Sequence, residues 1–253
     1  MLNTFQGFFI LIASTAGSLL FMWALNHFWP RESRKEHNDQ IGWQLTALGT
    51  TYAVILGFML FAVWSEFQSA DLNADLEADA LVNVYRVAEG LPEPQRTQLQ
   101  NLARNYAEVV INAEWNEMAS GKVPNGSRDV DRQMWATVMS IKSASPAELN
   151  AADHALTQLG SLTQFNRTRI MQSTDRLPAV LWSVLIVGGI LSVASSCLFG
   201  SANEVLHSLQ VFAFSLLIAL GLVAIAAINR PFQGTVHVHT FGFVRALQNM
   251  QLH

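Results

Sequence analysis

The stretch LTALGTTYAVILGFMLFAVW, residues 45–64, runs straight on into SEFQSADLNADLEADALVNVYRVAE, residues 65–89, without a proline. The first part carries no charged residue. As a helix rising ~1.5 Å per residue, it covers roughly the 30 Å of a bilayer's hydrocarbon core. Trp43 and Trp64 bracket it, as amphipathic rings do at the two membrane interfaces. The second part is rich in Ala, Leu and Glu. Its apolar residues Phe67, Ala70, Ala74, Leu81, Val84, Tyr85 and Ala88 recur at helical spacing. The spacing predicts one helix of about 45 residues, with its inner half in lipid and its outer half in water.

Three further charge-free segments have the length to cross lipid: residues 5–25, 178–199 and 206–228. A spanning backbone must satisfy its own polar groups, so each is read as a helix. The first has no basic stretch ahead of it, and Phe21-Met22-Trp23 is a poor cleavage site, so it reads as a retained anchor. Gly188-Gly189 in the third offers a close helix approach or a bend. His207 near one end of the fourth reads as interfacial, and Asn229-Arg230-Pro231 ends that helix. No Asp, Glu, Lys or Arg lies within the four segments. That argues against a transporter working through buried carboxylates, but not against a pore.

Charge is segregated along the chain. Residues 66–177 hold 25 of the 34 charged groups, 15 acidic and 10 basic, so lipid surrounds one part and water the other. The net charge of −4 and the lack of a basic cluster give nucleic-acid binding no support. Cys197, the single cysteine, lies in an apolar run and reads as a small buried hydrophobe.

The expected fold is all-α. Residues 1–65 supply spans one and two, 66–177 a helical cytoplasmic domain, 178–229 spans three and four, and 230–253 a cytoplasmic tail. Four spans put both termini and the domain on one side. Arg167, Arg169, Arg176, Arg230 and Arg245 lie near span ends there, against Arg31, Arg34 and Lys35 opposite, which favours a cytoplasmic domain. Within the domain, helices are expected over 94–119, 128–143 and from Pro146 to about 172. Ser145 is the expected N-cap of the last, with Glu148 completing a capping box.

Asp71, Asp75 and Asp79 form an i, i+4 stripe with Glu77 nearby. Three readings are open: a solvated face, pairing with Arg167, Arg169 or Arg176, or a cation-attracting vestibule in a symmetric oligomer. Phe58 and Phe61, near midspan in the second helix, would form an apolar ring with Ile55, Met59 and Phe67 if that helix lines an axis; ordinary packing is the alternative. His237 and His239, with His253 at the end, lack a fixed third metal ligand. Glu108, Glu114 and Glu117 lack the Glu-x-x-His spacing of di-iron bundles. There is no P-loop, dinucleotide glycine pattern, CxxC or catalytic triad, so an enzyme is disfavoured and no cofactor or metal is expected.

Five segments carry a family resemblance: YAVILGFMLFAVW (52–64), ADLEADALVNVYRVAEGLPEPQR (74–96), NYAEVVINAEW (105–115), RLPAVLW (176–182) and INRPFQGTV (228–236). In order and spacing they resemble the bacterial bestrophin-like membrane proteins designated domain of unknown function 4239. The resemblance implies a homo-oligomer, a pentamer as in bestrophins, in the bacterial cytoplasmic membrane. It implies an ion channel whose second helix lines the pore, with Phe58 and Phe61 as neck candidates and inorganic ions and lipid as partners. Ion sign stays open. The acidic run that binds calcium after the fourth span of animal bestrophins has no counterpart, since no Asp or Glu follows Arg230. The alternative is a non-conducting scaffold or sensor that binds a partner through its helical domain. Pro231 and Gly234 are read as shaping a turn, with Phe232 packing back on the bundle.

Overall fold

A computed structural model describes residues 4–251. In chain order the helices are α1 (Thr4–Phe28), α2 (Arg31–Lys35), α3 (Asn38–Val87), α4 (Gln95–Val109), α5 (Trp115–Ala119), α6 (Ser127–Met139), α7 (Pro146–Thr174), α8 (Ala179–Cys197), α9 (Glu204–Ile228) and α10 (Phe241–Gln251). A wide π-turn, Val110–Glu114, joins α4 to α5. No strand occurs among the described residues. The chain is all-α, with four helices long and apolar enough to span a membrane and a large helical region between the second and third. The expected long helix is α3, which has 50 residues.

Two compact units result: a membrane unit of residues 1–65 and 176–229, and a helical unit of residues 66–175 and 230–253. α3 contributes its first part to one and its second part to the other.

In the membrane unit, close helix approach rests on small residues rather than on a water-driven apolar core, as lipid requires. Ser18 Oγ on α1 donates to Ser215 Oγ on α9 at 3.0 Å. Tyr52 Oη on α3 donates to the Leu185 carbonyl on α8 at 3.0 Å. The pair Gly188-Gly189 makes room for that ring: a Cβ at 188 would stand 2.7 Å from it, and one at 189 would stand 3.0 Å from the phenol oxygen. The glycines thus serve close approach. Val63, Leu185 and Ile225 close the packing nearby. His207, near the start of α9, is buried, its Nε2 3.1 Å from the Ser196 carbonyl. Cys197 is buried, with Met22 and Val211. Phe5, Phe8, Phe9 and Trp23 face outward, where lipid is the solvent that accepts them.

The helical unit has an ordinary hydrophobic core, including Leu81, Leu99, Met134, Leu159 and Leu162. The segment after Arg230 is part of that core. Gly234 turns the chain at φ 89°, a conformation open to glycine, and Val238 N–H closes onto the Pro231 carbonyl at 2.7 Å. Phe232 and Phe243 meet the Trp115 ring edge-on, at 5.5 and 5.9 Å between centroids. α7 starts where expected, with Ser145 in the N-cap position and Pro146 first in the helix, but without the expected capping box. Ser145 makes no side-chain cap bond. Glu148 instead takes the hydroxyl of Ser143, which also receives the Ser145 N–H at 2.9 Å.

Candidate functional site

α3 carries all five of the sequence-derived site residues. In the membrane unit, Ile55 and Met59 pack against the Val63–Leu185–Ile225 cluster. Phe58 and Phe61 are each 69% exposed, so they belong to a different face from the packed one. In the helical unit, Asp71, Asp75 and Asp79 are all exposed, and none forms an ion pair. Of the three arginines weighed as partners, Arg167 and Arg176 are exposed and form no ion pair. Arg169 is fully buried and goes elsewhere.

Its partner is Glu77, which lies on α3 between Asp75 and Asp79 but points inward. Arg169 Nε donates to Glu77 Oε2 at 2.7 Å, and Nη2 donates to Glu77 Oε1 at 3.1 Å. The same Nη2 reaches Glu114 Oε2 at 2.7 Å. All three side chains have no exposed surface. Fully ionised, two carboxylates and one guanidinium leave a net negative charge in the core, which is costly unless other donors meet it. Tyr106 Oη and Asn166 Nδ2 donate to Glu77 Oε1 at 2.7 and 3.2 Å. Glu114 Oε1 accepts the Ser127 N–H, at the positive end of α6, at 2.7 Å. Trp115 and Phe243 rings lie 5.6 and 5.9 Å from the guanidinium carbon. Burial pulls the Arg169 pKa down, but Glu77, with Tyr106 and Glu114, more than reverses this and holds it above the usual value. Burial, then the Glu77 charge, push the Tyr106 hydroxyl well above its ordinary range.

The π-turn brings this set together. At about 100° per residue, an unbroken α-helix would place Glu114 about 80° around from Tyr106. A π-turn absorbs one extra residue, so the two come to within about 20° of each other. The sequence reading missed the network because regular helical spacing splits it. The signal was there in a weaker form: Tyr106 and Glu114 flank the apolar Val109-Val110-Ile111 within NYAEVVINAEW.

A second partly buried acid, Asp131, stands on α6. Thr163 Oγ1 lies 3.1 Å from its Oδ1 and also receives Trp135 Nε1 at 3.1 Å. Burial raises the Asp131 pKa, partly offset by the Thr163 hydrogen bond. His237 and His239 stand with ring centroids 4.8 Å apart; His253 lies outside the described residues. No group of three or more metal-type ligands occurs among the described residues.

Residues 12–242 match the bestrophin-like domain. The chain belongs to the bestrophin-like family. Crystal structures of a bacterial bestrophin homolog from Klebsiella pneumoniae share the fold over nearly the whole length. A point variant of that protein aligns with a TM-score of 0.71 and 12% identity, covering 98% of this chain and 100% of the other. A second variant gives 0.67 and 13% identity over 96% and 98%. A form phased with zinc gives 0.62 and 15% over 96% and 97%. At such identities the likeness is one of fold. No curated protein sequence matches this chain.

Proposed function

We propose that this bestrophin-like chain is one subunit of a homo-oligomeric, channel-like pore in the bacterial cytoplasmic membrane, with α3 around the axis. Both termini and the helical unit lie on the cytoplasmic side, and the subunit count follows the pentamer of bestrophins. Within the family, the quoted segments support the group designated domain of unknown function 4239. The reading is of a channel, not an enzyme.

The observation that carries it is the exposure of Phe58 and Phe61 on a helix whose other side is packed within the subunit. Rings gathered from several copies form an apolar constriction that gates by dewetting. Beyond it, the unpaired Asp71, Asp75 and Asp79 form an acidic vestibule that multiplies with each copy and concentrates cations. Purified protein in planar bilayers should pass current, and Phe58→Ala/Phe61→Ala should pass several-fold more. If both proteins are silent, the pore is abandoned. A second reading, a non-conducting scaffold, draws on exposed apolar side chains of the helical unit, such as Met139 and Phe241. A structure of the oligomer separates the two, because a pore requires a continuous axial path lined by α3.

A further inference from the structure

In the helical unit, α3 and α10 flank an open surface cleft of about 290 Å³, whose five polar lining side chains are all exposed. Asp79, Asn83 and Arg86 line one side at i, i+4 and i+7 of α3, and Arg245 and Asn249 line the other at i and i+4 of α10. Gly242 keeps the helices close, since a Cβ there would fall 2.4 Å from Asp75 Oδ1. Among the described residues, none of the five polar side chains makes a hydrogen bond or salt bridge. Arg245 only lies over the Phe241 ring, at 5.7 Å, and acts on Asp75 through its charge. Two guanidiniums and two amides therefore converge on one small hydrophilic space with their donors free. Guanidinium forks match the geometry of tetrahedral oxyanions.

Asp79 decides which oxyanion. Ionised, it is an acceptor only and repels an anion that has nothing to donate. Hydrogen phosphate keeps one O–H near neutral pH, whereas sulfate keeps none. We propose that the cleft is a phosphate site: Arg86 and Arg245 hold the charged oxygens, Asn83 and Asn249 add neutral donors, and Asp79 accepts the phosphate proton. The cleft shares Asp79 with the proposed vestibule, but phosphate binding is read by titration, without current.

The test is calorimetric titration of the full chain in detergent micelles with inorganic phosphate, sulfate and glycerol phosphate at equal ionic strength, slightly above neutral pH. Phosphate should bind saturably. Sulfate should bind at least about tenfold more weakly, the scale of one charge-assisted hydrogen bond. Glycerol phosphate, largely the proton-free dianion there, should resemble sulfate; binding equal to phosphate would overturn the role of Asp79. Arg86→Ala and Arg245→Ala should each weaken phosphate by about tenfold or more. Asp79→Asn should close the gap between phosphate and sulfate. Melting curves confirm that the variants are folded; were Arg86→Ala to unfold, Arg86→Gln takes its place. Saturable phosphate binding that neither arginine substitution alters, or no saturation in the millimolar range, would overturn the site.

Discussion

Replacing Arg169 with methionine removes a guanidinium but keeps most of its volume. Glu77 then keeps the Tyr106 and Asn166 donors, whereas Glu114 Oε2 loses the 2.7 Å bond from Arg169 and no other bond to that oxygen is present. Two carboxylates remain buried with no cation. Removing one partner from a buried ion pair costs about 3–5 kcal/mol, and the contacts here sit at the full-burial end of that experience. For a domain of this size the melting temperature should fall by on the order of 10 °C. Protonating a buried carboxylate that has no cation relieves its desolvation cost, so the deficit should shrink as pH falls into the acid range. Adding Glu77→Gln and Glu114→Gln to Arg169→Met should recover more than half the loss, because the neutral amides still accept from Tyr106 and Ser127. Circular-dichroism melts in detergent at neutral and acidic pH read all three effects. A loss under about 1 kcal/mol at neutral pH would refute the claim that the guanidinium holds the core together.

Other changes probe separate links. Asp131 has a raised pKa, so the unfolded chain ionises first on going up in pH and the folded carboxylate is destabilising at neutral pH. Asp131→Asn should therefore raise the melting temperature at pH 7, and the gain should vanish below about pH 4; a gain independent of pH would contradict the desolvation account. Deleting the exposed Asn112 should turn the π-turn into a regular helix while Glu114 keeps facing Tyr106. Its melting temperature should stay near wild type, while deleting exposed Glu108 from the α-helical part should unfold the helical unit. Asp71→Asn/Asp75→Asn/Asp79→Asn should leave stability within about 0.5 kcal/mol of wild type or slightly raise it. In bilayers the same variant should shift the reversal potential toward lower cation preference; an unchanged potential would remove the acidic vestibule.

Lipid explains why the spans were legible. Each must carry a long charge-free run, and such a run survives any arrangement of neighbours. The continuation of α3 into water was legible because Ser65 to Glu89 offers no helix breaker. What escaped the sequence depends on contacts made far along the chain. The Glu77–Glu114–Arg169 set joins three helices, and the π-turn hides its register. Arg34 looked like a loop charge. It is buried instead, donating to the Cys197 carbonyl at 2.9 Å and to Asn26 Oδ1, partners no local pattern reveals. Burial, then the charge of Arg31, lowers its pKa. Within DLNADLEAD the acids Asp75, Glu77 and Asp79 stand at alternate positions, and composition gives them equal standing; only tertiary packing says which one points inward.

That alternation separates two roles on one helix. Glu77 lies two residues from both Asp75 and Asp79, about 200° around the axis, so it must face away from them. Facing inward, it meets a cation and two further donors, Tyr106 and Asn166, and is held in place. The aspartates are exposed and form no salt bridge among the described residues, although Arg245 acts on Asp75 through its charge. A solvated stripe on a loosely held helix would blur that field by moving. Here the helix that displays it is fastened two residues away by a bidentate ion pair at 2.7 and 3.1 Å. Rigid presentation of fixed charge suits the proposed ion vestibule.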